Sequence, residues 1–206
     1  ATFVRERLVQ SPVRRSFVMM GLGLLAGMIL MPGPVQAQTI VSMGKGWAHD
    51  CFVAAKTGSE AVAGVAVCDQ ALVQEAMNTK DRAATHDNRG VLLDMLGRTD
   101  KAAADFRQAM ALDPSLGDPY VNLGSMLIKQ KGYDDALASI NKGLELGVSF
   151  PHIGYYDRAV AYQLMGKYKE AYFDYRRVLE IDPHFAQASE RLKDFIVTRG
   201  PAKAPG

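Results

Sequence analysis

No glycine-rich phosphate loop, Walker motif or Gly-x-Ser-x-Gly elbow occurs in the 206 residues. The common nucleotide and acyl-transfer chemistries therefore have no framework here. Histidine is sparse: His49, His86, His152 and His184 are scattered, and no two are spaced as a metal pair on one helix. Carboxylate neighbours such as Asp134-Asp135 fall at helix starts, where they complement the helix dipole. We expect no catalytic residue, no metal site and no cofactor, so a protein that is not an enzyme. A strong charge of one sign is also missing. The chain carries +2, but residues 1–37 hold Arg5, Arg7, Arg14 and Arg15 against Glu6, a net +3, which leaves −1 for the rest. Without a basic footprint, no nucleic-acid partner is expected. Nor is there an apolar run of bilayer-spanning length: Phe17–Met31 reaches 15 residues, against the roughly 20 that a transmembrane helix needs.

What residues 1–37 do show is the layout of a secretory signal peptide. A basic stretch ends at Arg14-Arg15, the apolar run follows, Pro32-Gly33-Pro34 breaks it, and Val35-Gln36-Ala37 offers small residues for cleavage. The alternative is an N-terminal anchor that is kept, which would be the chain's one link to a membrane. Arg14-Arg15-Ser16-Phe17 also resembles part of a twin-arginine export signal. No Cys follows the run closely enough for a lipoprotein. Export implies an envelope location, in a bacterium the periplasm. In that oxidising setting the two cysteines, Cys51 and Cys68, favour a disulfide over two buried thiols.

The remaining chain is ordinary in composition, 48% hydrophobic and 22% charged, and its apolar residues recur at helical spacing. Its skeleton repeats. Gly90, Ala102 and Phe106 return as Gly124, Ala136 and Ile140 after 34 residues, and as Ala159, Ala171 and Tyr175 after 35 more. A period of this size marks a helical solenoid. Punctuation sets the units. Gly97 and Asp113-Pro114 close helices, Asp118-Pro119 reads as an N-cap with Pro at the first helical position, and Gly132 and Gly147 divide the next unit. Helical hairpins are expected at about 47–77, 83–114, 117–147 and 152–183, with a polar connector at 78–82. An amphipathic cap helix is expected over 184–198, with Phe185, Ala188, Leu192, Phe195 and Ile196 on its apolar stripe. Residues 38–200 form the array, and 201–206 read as a disordered tail.

The spacing of small and bulky residues resembles the tetratricopeptide repeat (TPR). That resemblance implies an all-α, right-handed solenoid of about three clear units behind a degenerate first hairpin. It also implies that Cys51 and Cys68 face each other across that hairpin. Arg89 and Arg158 stand where the family prefers Leu, and each comes with an Asp, Asp105 and Asp174, on the partner helix. In the middle unit the pair is Leu123 and Ser139. Arg and Asp arrive and leave together, which implies an ion pair across each of the two hairpins.

TPR arrays bind through the concave surface lined by the first helix of each hairpin. Here that stripe includes Asp87, Asn88, Val91, Asp94, Asn122, Ser125, Tyr156 and Asp157. Asn88 and Asn122 are equivalent and resemble the asparagine ladders that hold an extended peptide, although a solvated polar face has the same pattern. The family's carboxylate clamp is absent, since Asp87 and Val91 hold the places of its Lys and Asn. The expectation is an interaction module that binds an unidentified protein or peptide. The alternatives are an assembly element that self-associates as a homo-oligomer or docks by its end faces, and an enzyme of unrecognised type.

Overall fold

The computed structural model describes residues 6–10, 46–58 and 60–199. Most of the expected signal segment, including Phe17–Met31, and the tail 201–206 lie outside the described residues. Helices pair in sequence: α1 (Trp47–Thr57) with α2 (Ala61–Gln74), α3 (Thr79–Met95) with α4 (Thr99–Leu112), α5 (Asp118–Lys129) with α6 (Tyr133–Leu146), and α7 (Pro151–Leu164) with α8 (Tyr168–Ile181). A short α9 (Ala186–Leu192) follows. Each hairpin packs on the next, α2 against α3, α4 against α5, α6 against α7 and α8 against α9, which makes an all-α hairpin solenoid.

The repeated skeleton explains how each hairpin closes. A Cβ on Gly90 would stand 2.6 Å from the Phe106 ring, and one on Gly124 would stand 2.4 Å from Ile140. The two helices touch at these points because one side offers no side chain. Phe106, Ile140 and Tyr175 are the fully buried plugs of the three units, each contributing roughly 2–3 kcal/mol by removing its apolar surface from water. In the first hairpin Cys68 takes the plug's place and is bonded to Cys51, with Cα atoms 4.8 Å apart and both residues fully buried. The bridge ties α1 to α2, the hairpin that among the described residues has a neighbouring hairpin on one side only.

Turns within the last three hairpins follow one scheme with one exception. Gly97 (φ 70°) and Gly166 (φ 73°) take the left-handed conformation that ends α3 and α7. In the middle unit Lys131 (φ 65°) occupies that place and Gly132 follows it. The bonding is shared by all three. Arg98 N donates to Leu93 O at 2.8 Å, Gly132 N to Leu127 O at 3.0 Å and Lys167 N to Tyr162 O at 2.8 Å.

Three local expectations need correction. Residues 79–82 are helical rather than a connector, because Asn78 caps α3: its Oδ1 accepts from Asp81 N at 2.9 Å. Asp118 does not cap α5. Its carboxylate reaches the next unit, where it accepts from Ser149 N at 3.0 Å and Ser149 Oγ at 3.2 Å. The cap helix expected to 198 stops at Leu192, and Phe195–Arg199 forms a strand, β2, antiparallel to β1 (Glu6–Gln10), with Leu8 opposite Val197. The aromatic and β-branched run Phe195-Ile196-Val197-Thr198 suits a strand better than a helix. Phe195 still covers the last hairpin, its ring 5.9 Å from that of Tyr172 and 6.0 Å from that of Tyr175.

Candidate functional site

The first helices of successive hairpins, α3, α5 and α7, are joined by side chains along one face. Asn122 Nδ2 on α5 donates to Asp87 Oδ1 on α3 at 3.0 Å. One turn on, Lys129 Nζ pairs with Asp94 Oδ2 at 2.6 Å. Between α5 and α7, Ser125 Oγ donates to Asp157 Oδ2. These cross-links recur at one unit's spacing because helical periodicity returns the same face each turn, and hairpin stacking returns it each repeat. Of the eight residues expected on the concave stripe, Asp87, Asp94, Asn122, Ser125 and Asp157 make these bonds, whereas Tyr156 packs its ring against Tyr175 and Phe185. The structure closes all eight from solvent: Asp87, Asn88 and Val91 are 0% exposed, Ser125 1%, Asn122 and Asp157 2%, Tyr156 6% and Asp94 8%. The expectation of a solvated polar face does not hold.

Burial sets the electrostatics. Burial raises the Asp87 carboxyl well above the usual carboxylate range. The hydrogen bond from Asn122 opposes that shift, and the negative charges of Asp118 and Asp105 add to it. Asp157 is pushed up to about 7 by burial, against the opposing hydrogen bond from Ser125 and the positive charge of Lys129. Asp87 Oδ2 is the one buried side-chain oxygen or nitrogen among the described residues that has no hydrogen-bond partner.

On the other side of the same helices lie the paired arginines. Arg89 Nε and Nη2 bind both oxygens of Asp105, each at 2.7 Å, and His86 Nδ1 lies 2.9 Å from Oδ1. Arg158 holds Asp174 in the same way, at 2.7 and 2.8 Å. Burial alone would raise Asp105, but Arg89 and His86 together outweigh it and hold the carboxyl below its ordinary value. Sequence reasoning missed the third arm of each arginine. Arg89 Nη1 reaches Asp69 at 2.6 Å, and Arg158 Nη1 reaches Asn141 at 2.8 Å, each on the second helix of the preceding hairpin. The signal was there. Asp69 and Asn141 both follow the plug position, after Cys68 and Ile140, whereas Leu123 is preceded there by a cation, Arg107.

The described residues hold no group of three or more His, Cys, Asp or Glu placed to bind a metal ion. No described helix is long and apolar enough to cross a membrane. Cavities open beside parts of this framework. One of about 320 Å³ lies beside Arg89 and Asp105, lined also by Arg98 and Lys101, and one of about 460 Å³ lies under Phe195 beside Tyr172 and Leu192.

Hairpins stacked on a shared polar face define a helical-repeat protein. Residues 83–116 and 152–185 each match the family model of the tetratricopeptide repeat, so the chain carries TPR repeats. It is 34% identical over 115 residues to a Lipoprotein NlpI homolog of Haemophilus influenzae, a match that covers 55% of this chain and 36% of that protein. The chain thus spans only about a third of the length of the curated relatives it matches. Among solved structures, MamA shares the fold at TM-score 0.55 and 17% identity, over 73% of this chain and 82% of that one. The first TPR domain of Spaghetti (RPAP3), bound to the HSP90 peptide SRMEEVD, gives TM-score 0.53 at 25% identity, over 55% and 92% of the two chains.

Proposed function

We propose that this protein is a non-catalytic interaction module of the cell envelope that holds an extended segment of a partner protein against the face shared by α3, α5 and α7. The observation that carries the reading is the recurrence of polar side chains along that face at one repeat's spacing, with Asn122 joined to Asp87 and Ser125 to Asp157. Asn88 and Asn122 are equivalent in successive units, and Asp157 follows. The RPAP3 domain lends support, since it binds a short peptide on a similar framework. The envelope location draws on the signal-like residues 1–37 and on the lipoprotein relative.

The test is retention of a partner from envelope extracts by the immobilised chain, compared with Asn88→Ala/Asn122→Ala. The double variant is expected to lose at least about tenfold in affinity, on the order of one good hydrogen bond, with its helical circular dichroism unchanged. Asn88→Ala alone leaves the Asn122–Asp87 bond in place and is expected to give an intermediate loss. Unchanged retention by a folded double variant would sink the reading.

A further inference from the structure

The cavity of about 320 Å³ opens where α2, α3 and α4 meet, and none of the residues bonded across α3, α5 and α7 lines it. Its size is at the lower end of small-ligand sites, about 300–1,000 Å³. Val65, Leu93 and Ala104 give it an apolar part. Arg89 gives it a fixed wall, because its guanidinium is already held by Asp105 and Asp69. Arg98 and Lys101 differ. Both line the cavity, both are exposed, and among the described residues neither head group has an ion-pair or hydrogen-bond partner. The lining sets Arg89, Arg98 and Lys101 against Asp69 and Asp105, a net +1. The other units show what this place holds when packing alone is served. Aligned on the turns at Gly97 and Gly166, the last hairpin has Tyr162 for Leu93, Lys167 for Arg98, Glu170 for Lys101 and Phe173 for Ala104. There the one cation lies against a ring, Lys167 Nζ 6.0 Å from the Tyr162 centroid. In the middle unit Gly132 and Asp135 replace Arg98 and Lys101. The repeat therefore asks for neither cation, and of these three hairpins only the one of α3 and α4 sets two of them beside Leu93 and Ala104.

We infer that this cavity binds a carboxylate carried beside a branched apolar group, as at the end of a peptide chain that finishes in Leu, Ile or Val. Arg98 and Lys101 donate to the carboxylate, and the apolar side chain lies on Val65, Leu93 and Ala104. One negative charge balances the net +1 of the lining. A phosphate group, at about −1.5 to −2 near neutral pH, would overshoot that balance and face the carboxylates of Asp69 and Asp105. An Asp or Glu within a chain carries its charge on a short stem and brings no apolar group for the rest of the cavity. The site is separate from the face shared by α3, α5 and α7 and does not depend on the reading of that face.

The test uses the full chain and one peptide, Ala-Gly-Ala-Gly-Leu, labelled with fluorescein at its N-terminus and made with either a free C-terminal carboxylate or a C-terminal amide. Anisotropy is expected to show binding of the acid, with the amide at least about tenfold weaker, the loss of a charge-assisted contact. Arg98→Gln/Lys101→Gln is expected to abolish the difference between acid and amide. Ala104→Phe, which brings in the ring that the last hairpin carries at this place, is expected to weaken the acid at least about tenfold by taking up the apolar part. These three positions are exposed, and the helical circular dichroism of the variants is expected to stay unchanged. Lys169→Gln, an exposed cation on α8, is expected to leave binding as it was. Isovalerate is expected to displace the acid peptide at lower concentration than inorganic phosphate. The inference is overturned by acid and amide binding equally, by neither binding, by acid binding that survives Ala104→Phe, or by a loss in Lys169→Gln as large as in the Arg98/Lys101 variant. Displacement by phosphate at lower concentration than isovalerate would also overturn it. The comparisons of acid with amide and of isovalerate with phosphate need no variant, so they decide the matter even if a substitution disturbs the fold.

Discussion

Asp105 and Asp157 show how the same residue type is driven in opposite directions. Asp105 is buried beside Arg89 and His86 and held low, whereas Asp157 is buried beside a neutral hydroxyl and pushed up to about 7. Asp157 binds its proton more tightly folded than unfolded, where an aspartate titrates near about 3.9. Between those two values the folded state holds more protons, so stability falls as pH rises through that window and levels off above it. Asp157→Asn has no proton to lose and still accepts from Ser125. Its stability relative to the unaltered chain is expected to grow from about pH 4 to about pH 7, by no more than about 1.4 kcal/mol per pH unit, and then to hold steady. Urea unfolding of both proteins across that range measures it, and a pH-independent difference would contradict the buried-proton account. The arginine pairs were legible in the sequence because Arg and Asp change together between units. The Asp87–Asn122 and Ser125–Asp157 bonds were not, because they join residues 35 and 32 apart across the stacking of two hairpins, and that register is a property of packing.

At the scale of the element, capping decided where the sequence reading held. The hairpins were legible because Gly90, Gly124 and the plugs obey one steric rule in each unit. Two ends were misjudged because a neighbour outside the helix settled them: Asn78 extends α3 backwards, and pairing with Glu6–Gln10 turns Phe195–Arg199 into a strand. The turn after α5 shows the same scheme under strain. Lys131 stands at φ 65° where the sister turns have glycine, and a side chain in the left-handed region costs about 1–2 kcal/mol, partly offset by glycine's greater freedom when unfolded. Lys131→Gly is therefore expected to raise stability by about 0.5–1 kcal/mol. Gly97→Lys, at φ 70° with open space around its Cβ, is expected to lower it by a similar amount. Thermal unfolding of the pair checks this, and the same sign for both would mean that the turn conformation is not what matters.

Among the described residues the main contacts between helices run within a hairpin or between neighbouring hairpins, with β1 (Glu6–Gln10) packed on α8 and paired with β2 besides, so helical stability is mostly a chain of local terms rather than one shared core. The two ends then have separate solutions. The C-terminal hairpin is covered by α9 and Phe195, with Ala188 fully buried. The first hairpin has no such cover among the described residues and instead has a covalent tie between Cys51 and Cys68, 17 positions apart. By chain entropy a loop of that size is worth about 3 kcal/mol. In a linear array that contribution stays where it is made. Cys51→Ser/Cys68→Ser is expected to lower hydrogen-exchange protection in α1 and α2 by up to about 3 kcal/mol. The loss should be smaller in α3, which rests on α2, and undetectable in α7 and α8. An equal loss in every helix would show that the hairpins open together, and that the stripe of polar bonds along α3, α5 and α7 couples them more strongly than nearest-neighbour packing allows.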